Sequence, residues 1–182
     1  MNKVFTIPNI ISIIRIILIP IIACMYFDSN LQHHYAYTLI LLLLSGISDI
    51  VDGFIARRFN AVSDIGKVLD PIADKLTQAV ILFCLCVRNQ FILPMFIVLF
   101  VKELLTLVAA TYLLKNGTKP ISAKWWGKLS TVTIYSTIFY SIAVDYFDFL
   151  PIFVIHILMY ASIVCMLISM IGYMRLFLNR NK

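Results

Sequence analysis

Long apolar runs separated by short polar breaks organise the whole of this 182-residue chain. The breaks carry residues typical of turns, such as Asp28-Ser29-Asn30 and Asn116-Gly117. Several runs approach the ~20 residues that a helix needs to cross about 30 Å of hydrocarbon. The pattern therefore predicts an all-α polytopic membrane protein, a single domain over residues 1–182 with six transmembrane helices. These are predicted at residues 7–27, 35–58, 64–87, 91–115, 127–145 and 150–176.

The composition agrees with a membrane protein and the charges orient it. Hydrophobic residues make up 62% of the chain and charged residues 13%, whereas a soluble domain averages roughly 25% charged. With the amino terminus in the cytoplasm, eleven Lys and Arg residues fall on the cytoplasmic side and only Arg88 on the other. Such a bias is the rule for integral proteins of plasma and bacterial inner membranes. It predicts that residues 48–75 lie at the cytoplasmic ends of the second and third helices.

Four aspartates interrupt the apolar pattern at helical spacings. Asp49 and Asp52 are three residues apart and share one face of the second helix, while Asp70 and Asp74 are four apart on the third. A short turn near residues 60–63 makes these helices antiparallel neighbours, which brings both pairs to a similar depth. The sequence therefore predicts four carboxylates that point into one volume just inside the bilayer.

Charges at this depth are costly unless they are paired or hydrated, and crowded carboxylates repel one another. Divalent ions with a preference for hard oxygen ligands, Mg²⁺ or Mn²⁺, would relieve both penalties. The alternative is a set of ion pairs between the aspartates and Arg57, Lys67 and Lys75. Because three basic groups on flanking turns do not account for two clean pairs, the metal site is the preferred interpretation.

The spacing of the whole segment resembles a family signature. Asp49-x-x-Asp52-Gly53-x-x-Ala56-Arg57, eight further residues, then Gly66-x-x-x-Asp70-x-x-x-Asp74 is similar to the complete signature of the CDP-alcohol phosphatidyltransferases. The opening stretch from Ile7 to Arg15 is similar to that of the bacterial phosphatidylglycerophosphate synthases within that family.

The resemblance implies a reaction and a site. A CDP-linked lipid, usually CDP-diacylglycerol, gives its phosphatidyl group to an alcohol and CMP leaves. Two divalent ions are implied between the four aspartates, with Asp74 also acting as general base toward the acceptor hydroxyl. A homodimer is implied as well. The positions implied in binding the CDP-lipid are Asp49, Gly53, Ala56, Arg57 and Gly66.

The acceptor alcohol is less clear from the sequence. Synthases that use glycerol 3-phosphate carry further basic residues where this chain has Ala109-Ala110 and Ser130. The amino-terminal stretch and the chain length still favour glycerol 3-phosphate. The alternative is a cardiolipin synthase that uses phosphatidylglycerol, since the segment from Lys119 to Thr131 resembles such enzymes; inositol phosphate or serine remain open. The candidate acceptor-binding residues are Lys102, Lys119, Lys124 and Lys128.

A divalent-cation transporter is a remote alternative. Transporters typically place such acids near the membrane midplane, in broken helices and in two related halves, whereas the aspartates here are expected at one face of the membrane.

Other polar residues are given structural interpretations. His33 and His34 are expected in an exposed loop, and Asp145 and Asp148 are expected to be solvated loop charges. Arg15 either snorkels to the cytoplasmic surface or lies near the substrate headgroup.

Overall fold

The protein was analysed as a computed structural model that describes residues 7–58, 66–115, 125–147 and 149–180. Side chains are described for residues 10–48, 51, 71–113, 125–147 and 149–177. Within these ranges the chain is helical and contains no strand, which confirms the all-α part of the predicted fold class. Besides a short 3₁₀ helix at Gln90–Ile92, the helices are α1 (Ile7–Phe27), α2 (His34–Arg58), α3 (Gly66–Arg88), α4 (Leu93–Lys115), α5 (Trp125–Tyr146) and α6 (Phe153–Arg180).

The bounds of every helix except α1 depart from the prediction by one to four residues at one or both ends. α4 begins after 91, because the 3₁₀ helix takes the first residues of that run. α6 begins at Phe153, three residues after its predicted start. Trp125 and Trp126 open α5 and do not precede it.

In the part of the chain that the structure describes, three segments are long and apolar enough to cross a membrane, namely Ile10–Phe27, Gln90–Leu113 and Phe153–Phe177. Between 22% and 28% of each segment is buried inside the protein. Their outer faces carry large apolar side chains such as Ile17, Leu107 and Ile157, each more than half exposed. A soluble monomer rarely exposes apolar patches of this extent, so the structure is that of an integral membrane protein. The number of spans beyond three stays a prediction.

The chain divides into two compact units, each with its own packing. The first comprises Met1–Cys84 and Ile142–Asp148, and the second comprises Leu85–Ser141 and Phe149–Lys182. In the first unit α1 packs against α2, and in the second α4 packs against α6. The predicted single domain stays a prediction.

The α1–α2 pair buries one stripe from each helix. Residues three and four apart lie on the same helical face, and both stripes mix apolar with polar side chains. On α1 the buried residues are Ser12, Arg15, Ile19, Ile22 and Tyr26, and on α2 they are Tyr35, Thr38, Leu42 and Ser45.

A polar cluster closes the end of the first unit where α1 meets α2. The buried Tyr26 hydroxyl donates to Asp145 Oδ2 at 3.1 Å, and His34 Nδ1 lies 3.1 Å from the Tyr26 carbonyl oxygen. His33 Nδ1 lies 3.3 Å from the Tyr146 hydroxyl. The expectation for Asp145 was therefore wrong: it belongs to α5 and accepts a hydrogen bond from a buried tyrosine. His34, likewise, is the first residue of α2 and not part of an open loop, whereas Asp148 lies outside the described residues.

Small and polar residues line the contact between α5 and α6 in the second unit. Thr137 Oγ1 and Ser162 Oγ are 2.9 Å apart, and both residues are fully buried. Small residues at a helix contact let backbones approach closely. The glycines of this contact, Gly127 and Gly172, face the aromatic side chains of Tyr173 and Trp126 on the opposite helix.

Candidate active site

The buried stripe of α2 leads to the first pair of aspartates. Thr38, Leu42 and Ser45 are buried along it, and the same steps of four and three residues lead to positions 49 and 52. α2 continues unbroken to Arg58, so Asp49 and Asp52 occupy the helical face that is buried earlier in the helix. The backbone of α2 is therefore continuous through both aspartates, as their predicted shared face requires.

α3 carries the second pair near its beginning. The helix starts at Gly66 and runs without a break through Asp70 and Asp74. Ala73, next to Asp74, is fully buried. Asp74 is partly exposed, and Gln78 Nε2 donates to its Oδ2 at 3.4 Å. Because Gln78 is itself buried, this hydrogen bond helps to hold the Asp74 carboxylate in one orientation.

Most of the predicted site side chains lie outside the described residues. Among the side chains that the structure does describe, no three His, Cys, Asp or Glu come together as a metal-binding group. Asp74 belongs to that described set, but its three proposed partners do not, so the convergence of the four carboxylates stays a prediction. The backbone is described and the side chains are not for Asp49, Asp52, Gly53, Ala56, Arg57, Gly66 and Asp70.

Arg15 lies in the interior of the first unit. Its side chain is 2% exposed and belongs to the stripe of α1 that is buried together with Ser12 and Ile19. A snorkelling arginine keeps its charged head in water, and a side chain with so little exposed area does not. Of the two interpretations made from the sequence, surface snorkelling is therefore excluded.

The candidate acceptor residue Lys102 is buried in the second unit. It is 6% exposed, and its Nζ lies 3.1 Å from Glu103 Oε1 and 3.5 Å from the Ser130 hydroxyl. Ser130 donates in turn to the carbonyl oxygen of Gly127 at 2.8 Å. The charge of Lys102 is thus compensated inside the protein by a neighbouring carboxylate.

Sequence reasoning gave Glu103 no role of its own. Adjacent residues in a helix do not face each other, so the pair Lys102-Glu103 carried no signal of an ion pair. Of the remaining acceptor candidates, Lys128 is exposed on the first turn of α5, and Lys119 and Lys124 lie outside the described residues.

Comparisons with known proteins connect this arrangement to a family. A protein-family model described as CDP-alcohol phosphatidyltransferase matches residues 5–173. The chain is 33% identical to a CMP-forming cardiolipin synthase of Streptomyces coelicolor over 73% of its own length and 63% of that relative's. It is 28% identical to the CDP-diacylglycerol–glycerol-3-phosphate 3-phosphatidyltransferase of Aquifex aeolicus, over 92% of its own length and 93% of that relative's. An enzyme of the same name from Haemophilus influenzae is 29% identical over 94% of this chain and 92% of its own.

Proposed function

The chain belongs to the CDP-alcohol phosphatidyltransferase family, and on that basis we propose that it transfers the phosphatidyl group of CDP-diacylglycerol to glycerol 3-phosphate, releasing CMP. One observation carries the proposal. All four aspartates of the family signature are present, and they are spaced at three and four residues on the continuous helices α2 and α3.

The donor set fits a pair of divalent ions. Asp49, Asp52, Asp70 and Asp74 offer carboxylate oxygens, the ligands that Mg²⁺ and Mn²⁺ prefer. Bound there, two such ions would neutralise charge on the diphosphate and on the departing CMP. In the same proposal the positions of Gly53, Ala56, Arg57 and Gly66 accommodate the nucleotide, since small residues leave room beside the carboxylates.

Asp74 takes the role of general base. Its carboxylate removes the proton from the acceptor hydroxyl, whose oxygen attacks the phosphorus that carries the diacylglycerol. A bond forms from that oxygen to phosphorus as the phosphorus–oxygen bond to CMP breaks. The partial exposure of Asp74 leaves it accessible to an acceptor, and the hydrogen bond from Gln78 helps to fix its orientation.

The proposal includes the setting of the enzyme. We place six helices across a plasma or bacterial inner membrane, with the amino terminus and the aspartates on the cytoplasmic side, and a homodimer as the assembled form. The excess of Lys and Arg on that side supports the orientation. Acyl chains would then stay in lipid while the CDP headgroup reaches the carboxylates.

The acceptor choice rests on two observations that pull in different directions. Relatives named for glycerol 3-phosphate align with more than nine tenths of the chain, which supports that acceptor. The phosphomonoester of glycerol 3-phosphate carries up to two negative charges and requires more cationic partners than the singly charged phosphodiester of phosphatidylglycerol, and Lys102 is already compensated by Glu103. Phosphatidylglycerol, the acceptor of a cardiolipin synthase, is therefore the second candidate.

An acceptor screen tests the proposal. The full chain in lipid nanodiscs, with Mg²⁺ and labelled CDP-diacylglycerol, is offered glycerol 3-phosphate, phosphatidylglycerol, inositol phosphate or serine. We expect CMP release and a phosphatidylglycerophosphate product with the first acceptor only. A product formed with phosphatidylglycerol alone would show a cardiolipin synthase. CMP release with none of the four would contradict the proposed acceptor and leave transport to be tested.

A further inference from the structure

We propose that Arg15 of α1 binds the diphosphate of the CDP-linked donor beside Asp49. This inference rests on the proposed function and adds to it a substrate contact that lies on a helix outside the aspartate signature. The buried position of Arg15, the register of α1 against α2 and the charge of the donor support it independently of one another.

The register between α1 and α2 follows from their contact at the joined ends. The two helices pack together and are connected by residues 28–33, and the rings of Tyr26 and Tyr35 are 5.7 Å apart. At about 1.5 Å per residue, eleven residues back from Tyr26 and eleven onward from Tyr35 both cover ~16 Å. Arg15 is therefore level with Gly46, and Asp49 lies about 4.5 Å farther in the same direction.

The side chain of Arg15 can span the remaining distance to the level of Asp49, because helical side chains tilt toward the amino terminus of their helix. In an α-helix the Cα–Cβ bond tilts toward the amino terminus, and the amino-terminal direction of α1 is the direction of Asp49. An extended arginine side chain covers roughly one helical turn, about 5.4 Å. Because the Arg15 side chain is 2% exposed, it reaches this level inside the protein and not along its surface.

The charges of the site call for a cation at this place. Four aspartates and two divalent ions cancel, and the diphosphate of CDP-diacylglycerol then adds two negative charges. Lys67 and Lys75 lie on the same helix as the second pair of aspartates, whereas in this proposal Arg57 of the family signature and Arg15 each offset one of the diphosphate charges. Guanidinium groups bind phosphate oxygens with paired, charge-assisted hydrogen bonds. Charged side chains at such a depth face the interior of the bundle, where they meet partners or substrates, and Arg15 is 2% exposed.

Donor binding measured without any acceptor tests the assignment. Wild-type protein and the variants Arg15→Gln and Arg15→Lys are compared in nanodiscs with Mg²⁺ for equilibrium binding of CDP-diacylglycerol. We expect Arg15→Gln to weaken binding about 10- to 100-fold, the range of a hydrogen bond to a charged group. Arg15→Lys should fall between, because it keeps the charge and loses the paired geometry.

Tyr26→Phe is the matched control, since Tyr26 is a buried polar residue at the far end of the same stripe of α1. It should lower stability and leave donor affinity unchanged. Arg15→Gln with wild-type donor affinity, or a loss of affinity that Tyr26→Phe reproduces, would overturn the assignment. Rejection of glycerol 3-phosphate in the acceptor screen would leave this result standing, whereas a wild-type protein that binds no CDP-diacylglycerol would overturn both proposals.

Discussion

Two aspartates with described side chains, Asp74 and Asp145, are held in different ways. Asp145 accepts a hydrogen bond from Tyr26, a residue 119 positions away in the chain. Asp74 has the amide of Gln78 one turn farther along its own helix. A hydrogen bond between residues far apart in the chain stabilises the tertiary fold. A hydrogen bond within one helix orients a side chain but does not connect two helices. The hydrogen bond from Tyr26 gives Asp145 a structural role, and the hydrogen bond from Gln78 orients the carboxylate of Asp74.

Replacement of Asp74 by asparagine should remove turnover while leaving the fold intact. The amide cannot take the acceptor proton, and loss of general base catalysis typically costs about 10²- to 10⁴-fold in rate. The rate of CMP release measures the effect, with Asp145→Asn as the matched control expected to keep wild-type activity. If both variants lost activity equally, or Asp74→Asn lost none, the role of Asp74 as base would be wrong.

Removal of the Tyr26 hydroxyl should destabilise the first unit. Tyr26→Phe deletes the donor to Asp145, and a hydrogen bond to a charged group contributes about 1.5–3 kcal/mol. Asp145 is partly exposed, so water replaces some of this loss and we expect a destabilisation near or below the bottom of that range, about 1–2 kcal/mol. Unfolding in mixed detergent micelles measures the change. An unchanged unfolding free energy would mean that the hydrogen bond contributes nothing to stability.

At the scale of the helices, the α5–α6 contact depends on two glycines that differ in what they face. A Cβ atom at Gly172 would lie 2.9 Å from ring atoms of Trp126. At Gly127 it would lie 2.8 Å from the Tyr173 hydroxyl oxygen, with the nearest ring carbons at 3.6 Å. A rigid indole has little freedom to withdraw, whereas a terminal hydroxyl can be removed by a single substitution.

This difference predicts an order of effects on stability. Gly172→Ala should destabilise the protein by about 1–3 kcal/mol through overpacking, less up to ~1 kcal/mol that alanine gains in helix propensity. Gly127→Ala should cost less, and adding Tyr173→Phe should remove its cost because only the clashing oxygen is lost. Unfolding free energies of Gly127→Ala, Tyr173→Phe and the double variant, each compared with the wild type, form a double-mutant cycle that measures this coupling. A Gly127→Ala cost that persists beside Tyr173→Phe would contradict the contact.

The helices themselves were predictable because apolar runs and turn residues mark them locally. α1 has the predicted bounds, and α2 begins one residue before its predicted start. Contacts between segments that are distant in the chain have no such local signal in the sequence. Nothing in the local pattern pairs Tyr26 with Asp145, and a lone arginine in an apolar helix is compatible with both a surface and an interior position. The partner helix decides between them, and a single sequence does not name that partner.

At the scale of the molecule, the prediction concerns its placement in the membrane. We expect opposite sides for the α1–α2 connection and the start of α5, since an odd number of predicted spans separates them. In a protein with its four cysteines replaced by serine, Asn30→Cys should react with a membrane-impermeant maleimide in intact cells. Lys128→Cys should react only after the membrane is opened. Both positions are exposed in the structure, and labelling of both in intact cells would contradict the predicted topology.

The donor half of the reaction was accessible from the sequence, and the acceptor half was not. The aspartate signature has eight positions with set spacing, so it is recognised in one dimension. Binding of the acceptor depends on which cationic side chains are not compensated by neighbouring carboxylates, and that is decided by contacts in the folded protein. Lys102 resembles a phosphate ligand in the sequence, but the structure shows its ammonium beside Glu103 and Ser130. Only three-dimensional neighbours distinguish an available charge from a compensated one.

The last residues of α5, Ile142 to Tyr146, belong with the first unit although the segments on either side belong to the second. This has a consequence for biogenesis. A ribosome releases α1 to α3, with every proposed metal ligand, long before it synthesises the residue that receives the Tyr26 hydrogen bond. The first unit is therefore complete only after nearly sixty further residues have been synthesised.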